Sequence, residues 1–192
     1  MRLHAFAVPS DTRTGARLAM MRRPLPRQEP HMPIDWKRAL REGAIAGSCA
    51  SVLSTLALLW AGRRQARAAI TPVNAVSHWI WGDTALREHR PRLSHTLPGY
   101  AIHHGASVFW ATASAAARDA ARGAPETSWP AICQRAAATS AVACWVDFQL
   151  TPRRFTPGFE HHLGHGALAA VYLAFGAGLA LGTVLVQRSG RS

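Results

Sequence analysis

The stretch Glu160-His161-His162-Leu163-Gly164-His165 sets a carboxylate and three imidazoles directly ahead of an uncharged run, Gly166–Val186. His161 and His165 stand four residues apart, the spacing that aligns two rings on one helical face. Neutral imidazoles with carboxylates form a ligand set that borderline divalent metals accept. Other ionisable or strongly polar residues fall inside or beside further apolar stretches. They are His103 and His104 in "LPGYAIHHGASVFW", Asp147 in "CWVDFQL", and Asn74, His78 and Asp83 in "PVNAVSHWIWGD".

Three chemistries fit these residues. A divalent metal site would draw on His103, Asp147, His161 and His165. Only one HxxxH spacing is present, too few for the repeated histidine boxes of membrane di-iron enzymes such as desaturases. A proton or small-cation relay would use Asp147 beside an imidazole, because histidine titrates near neutral pH. The third and favoured reading is structural. There the histidines form a polar collar, and Asp147–His103 is an interhelical contact of about 0.6–2 kcal/mol. Glu160 would then answer the positive dipole at the next helix's start. No cofactor is expected on this reading, and a divalent metal is the alternative. There is no nucleophile motif, phosphate loop or dinucleotide fingerprint, since Gly176-Ala177-Gly178 lies within an apolar run. Cys49, Cys133 and Cys144 form no CxxC pair and sit in apolar segments, so they read as buried thiols.

The elements that must position these groups follow from charge-free length. Gly43–Gly62, Leu97–Ala117 and Gly166–Val186 each run for about 20 residues without an Asp, Glu, Lys or Arg. At about 1.5 Å per residue each covers roughly 30 Å, the hydrocarbon thickness of a bilayer. Trp129–Leu150 is a shorter candidate, with Arg135 able to snorkel from near one end. The expected fold is all-α: a membrane bundle of four transmembrane helices, spans 43–62, 97–117, 129–150 and 166–186. A soluble alanine-rich bundle fits less well, because such helices carry a charged outer face. A short interfacial helix is expected from Thr71, its N-cap, with Pro72 at the first turn and Gly82 at its stop. Residues 1–33, polar and rich in Arg and Pro, read as a disordered tail ahead of a 34–188 membrane domain; Met32 offers an alternative start.

The net charge of +12 suits nucleic acid or an anionic membrane surface. The basic residues flank the apolar runs without forming a stripe with interleaved aromatics, so the lipid bilayer is the expected partner and nucleic acid is not. A slight Arg excess places both termini in the cytoplasm of a bacterial inner membrane. Small residues every fourth position (Gly43, Gly47, Ser51, Thr55; and Gly166, Ala170, Ala174, Gly178, Gly182) fit close helix packing, within the bundle or in a homo-oligomer or with a membrane partner.

Antiparallel spans gather most of the ionisable residues at one end of the bundle. Asn74, His78, His103, His104, Asp147, Glu160, His161 and His165 are therefore expected to form one polar cluster. The strings "PVNAVSHWIWGD", "HTLPGYAIHHGASVFWA" and "DFQLTPRRFTPGFEHHL" resemble those of small, uncharacterised bacterial four-span integral-membrane proteins. The resemblance spans about residues 34–186 and implies an inner-membrane helical protein, with no assigned activity attached.

Overall fold

Asp35 starts the first long helix: its carboxylate accepts the Arg38 backbone N–H at 3.0 Å, satisfying one of the donors that a helix start leaves open. Helix α1 then runs Trp36–Gln65, with Arg63 and Arg64 in its last turn, where the dipole favours cations. These coordinates are a computed structural model describing residues 34–121 and 128–189; the tail expected over 1–33 lies outside them. Three short helices follow: α2 (Thr71–Val76), α3 (His78–Trp81) and α4 (Asp83–Leu86). The remaining long helices are α5 (Leu93–Ala120), α6 (Trp129–Trp145) and α7 (His165–Ser189). All regular structure among the described residues is helical.

Pro98 lies inside α5 and cannot donate to the carbonyl of Ser94. The Trp81 indole N–H donates to that carbonyl instead, at 2.9 Å. The proline thus ties the start of α5 to α3 and leaves the helix intact.

The four long helices alternate in direction. Glu42, near the start of α1, meets Arg118 at the end of α5 and Arg135 near the start of α6, while Arg41 donates to Ser189 at the end of α7. Helix α1 packs extensively on α5 and α7, and α6 packs on α7. The seam between α5 and α6 is only sparsely packed.

Alanine and glycine make the close packing possible. A Cβ on Gly47 would lie 2.8 Å from the backbone nitrogen of Val108 on α5, and one on Gly178 would lie 2.7 Å from the nitrogen of Ala50 on α1. Gly182 likewise lies against Ala46. Most glycines of the small-residue stripes are therefore used inside the bundle; Gly166 stands in open space.

The expected interfacial helix differs from its reading. It breaks at Ser77 into α2 and α3, and Thr71–His78 are all buried. The segment plugs the end of the bundle because Gly99 lets α5 pass directly over the Val73 carbonyl. Gly82 does stop it, at φ 60°. Two helices, Trp36–Gln65 and His165–Ser189, are long and apolar enough to cross a membrane.

Candidate functional site

Beneath the plug lies a partly open cavity of about 490 Å³, within the usual size of a small-molecule site. Its walls come from every long helix: Ser54 of α1, Ile102–Trp110 of α5, Ala143 of α6, and Val171, Tyr172 and Phe175 of α7. Most of the lining is apolar. The exceptions that carry chemistry are His103, Asp147, Tyr172 and Ser54.

Asp147 reaches the cavity through a change of helix type. After Trp145 the chain opens into a π-helical turn, Val146–Leu150, closed by the Thr151 N–H donating to the Val146 carbonyl at 2.9 Å. Such insertions recur at functional sites because they turn side chains out of the α register. The Tyr172 hydroxyl donates to Asp147 Oδ2 at 2.6 Å, and Ser140 on α6 donates to the Tyr172 carbonyl at 2.6 Å. Among the described residues Asp147 Oδ1 has no hydrogen-bond partner.

On the opposite wall, His103 Nε2 lies 2.8 Å from Ser54 Oγ. The Ser54 hydroxyl donates its one proton to the Ala50 carbonyl at 2.7 Å. The His103 contact is then met by a neutral ring whose Nε2–H donates to Ser54, a tautomer that leaves Nδ1 as an acceptor. Two unused acceptors, His103 Nδ1 and Asp147 Oδ1, thus belong to residues of one apolar cavity.

The roof above them is well built. The Trp79 indole donates to the Thr156 carbonyl at 2.9 Å, and Phe155 packs edge-on to Trp79 at 5.6 Å. Gly158, at φ 88°, sits so close to the Ala75 carbonyl and the His78 ring that no side chain fits.

The expected cluster does not close as one unit. His103 and Asp147 share the cavity without bonding each other. Asn74 is fully buried and works on the backbone: it donates to the Glu88 and Arg90 carbonyls and accepts from Thr96. His78 bonds the Ala75 carbonyl through Nδ1. His104 packs its ring beside Tyr100, at 5.8 Å between centroids. Glu160 stands 3.9 Å from His161. His161 and His165 do not share a helical face: His161 ends a 3-10 turn, Phe159–His161, and exposed His165 opens α7. The link between them, a turn at His162 followed by non-helical Leu163 and Gly164, keeps one helix from including both. Among the described residues no group of three or more His, Cys, Asp or Glu is placed to hold a metal. The quartet His103, Asp147, His161 and His165 is therefore not assembled. His162 packs against His89, and burial lowers its pKa below the ordinary imidazole value.

A second feature escaped the sequence reading. At the far end of the bundle, Glu42 accepts from Arg118 at 2.8 Å and from Arg135 at 2.7 Å, while Asp119 pairs with Arg118 and with Arg38 at 2.6 Å. Glu42, Arg118 and Asp119 are all buried. Burial alone would raise the Asp119 pKa, but the Arg38 and Arg118 guanidiniums outweigh it and hold the carboxyl below its ordinary value. In the sequence these charges lie just outside the uncharged runs and look like flanks; only the pairing of helix ends makes them a network. Tyr172 was equally hidden, one aromatic within an apolar run.

No protein-family model, curated protein or solved structure matches the chain.

Proposed function

We propose that the chain is a four-span integral protein of the bacterial inner membrane that binds a small, largely apolar molecule in the cavity between α5 and α6. The small four-span proteins it resembles have the same expected topology. Two observations support the spans that hydropathy alone leaves open, α5 and α6. Half-exposed tryptophans mark both ends of the bundle, Trp36 and Trp129 at one and Trp60 and Trp145 at the other, each 51–59 % exposed. Their separation along α1 and α6 is about 24–36 Å at 1.5 Å per residue, which brackets a bilayer core with its aromatic belts. Between them the outer surface carries Val52 and Leu56 of α1, Phe109 of α5, Val142 of α6, and Leu173 and Leu181 of α7. So continuous an apolar girdle on every long helix suits lipid better than water.

The binding reading rests on one observation: an otherwise apolar cavity to which His103 and the Asp147–Tyr172 pair each contribute an unused acceptor. A few placed polar groups in an apolar hollow are the usual makeup of a ligand site. Native mass spectrometry of protein released gently from its own membranes tests it. One small-molecule adduct per chain is expected, lost in an Asp147→Ala, Tyr172→Phe variant. Wild-type protein that is empty throughout contradicts the reading.

A further inference from the structure

The cavity is not closed to the outside. Its α5 wall includes Gly105, Ala106 and Phe109, all exposed on the outer surface of the bundle. A Cβ built on Gly105 meets nothing within 4 Å, so no neighbouring side chain covers this part of the wall. The opening lies on the seam where α5 and α6 pack sparsely. Counted from Leu97, Gly105 is about 12 Å along the span at 1.5 Å per residue, near the middle of a hydrocarbon layer roughly 30 Å thick.

That position restricts what can pass. A charged head of either sign would have to reach the mouth through the hydrocarbon layer, at a cost of several kcal/mol. No Lys or Arg lines the cavity, so an anionic head would also find no counter-charge inside. The two open positions there, His103 Nδ1 and Asp147 Oδ1, both accept hydrogen bonds, so they are satisfied by a head that carries donors. The remaining wall, with Ile102, Phe109, Val171 and Phe175, suits a hydrocarbon chain.

We infer that the cavity takes a neutral, hydroxyl-bearing single-chain lipid that slides in sideways from the bilayer past Gly105, its hydroxyl head donating to His103 and Asp147. This rests on the four-span ligand-binding reading and adds the class of ligand and its route. The head is held by hydrogen bonds that lipid tails cannot offer, while the chain trails through the mouth toward the surrounding acyl layer. The hydroxyl protons point to the protein, and no covalent step is involved.

The test uses full-length protein in lipid nanodiscs with a monoacylglycerol carrying a photoreactive group on its chain. Labelling is expected on peptides containing residues 102–110 or 143–151. Unlabelled monooleoylglycerol should compete at least about tenfold better than oleate, a difference of about 1.4 kcal/mol. Gly105→Trp should abolish labelling by covering the mouth, whereas Gly166→Trp, also in open space but outside the cavity lining, should label like wild type. A Cβ at 105 meets nothing within 4 Å, so the backbone accepts a side chain there, and an unchanged unfolding temperature of Gly105→Trp separates blocking from misfolding. Equal competition by oleate overturns the recognition of a neutral hydroxyl head. Undiminished labelling of Gly105→Trp overturns the lateral route. Either result leaves the membrane-derived adduct of the native protein in place, whereas loss of the reading itself would show as an empty wild-type protein.

Discussion

Asp147 is a half-buried helix carboxylate and Asp119 a buried one, and the structure treats them differently. Asp147 has one donor, the Tyr172 hydroxyl. Removing it by Tyr172→Phe leaves the carboxylate without a partner, at a cost of about 1–3 kcal/mol. A fall in the unfolding temperature of detergent-purified protein, absent in an Asp147→Asn, Tyr172→Phe background, is the expected result. Asp119 is instead held by two guanidiniums, and its folded pKa lies below the ordinary carboxyl value of 3.8. A carboxyl depressed by folding stabilises the native state fully above its unfolded pKa and loses that contribution as pH falls through the folded value. Stability should therefore hold down to about pH 4 and decline below it, with a shallower decline in Asp119→Asn, as measured by thermal unfolding across an acid series. Residue types alone made His103 and Asp147 legible as candidates, because polar groups within apolar runs stand out. Their partners were not legible. Ser54 and Tyr172 are ordinary residues whose roles come only from facing helices.

The elements were more readable than the contacts between them. Charge-free length located three of the long helices, and Trp129–Leu150 was legible only as a shorter candidate because Arg135 and Asp147 interrupt it. It missed the ends: α1 runs from Trp36 to Gln65, beyond the uncharged core, because Asp35 caps it and Glu42 pairs with buried Arg118 and half-buried Arg135. It also missed the π turn at Val146–Leu150, which no periodicity announces. The small-residue stripes were visible, yet their partners were set by packing. Gly178 is pressed on Ala50 and Gly105 faces open space, so two glycines in long helices should respond oppositely. Gly178→Val should destabilise by at least about 1–3 kcal/mol through overpacking. Gly105→Ala should stabilise by roughly 0.5–1 kcal/mol through helix propensity. Unfolding temperatures of the two variants in one detergent check both signs.

At the scale of the whole molecule, the four long helices form a bundle with two unlike ends. One end is locked by Glu42, Arg118, Asp119 and Arg135; the other is plugged by α2 and α3 over the cavity. The sequence placed most ionisable residues at the plugged end but not the buried charge at the locked one, since flanking arginines read alike whether they face water or a carboxylate. The central claim is that α5 and α6 cross the bilayer along with α1 and α7, which puts the cavity mouth at hydrocarbon depth. Single-cysteine accessibility in intact cells, after replacing Cys49, Cys133 and Cys144, tests it directly at Thr84, Ala121 and Arg153, all exposed. Four spans predict that an impermeant thiol reagent added outside reacts with Thr84→Cys and Arg153→Cys and spares Ala121→Cys until the membrane is opened. If all three positions react from the same side, only α1 and α7 cross, and the account is contradicted.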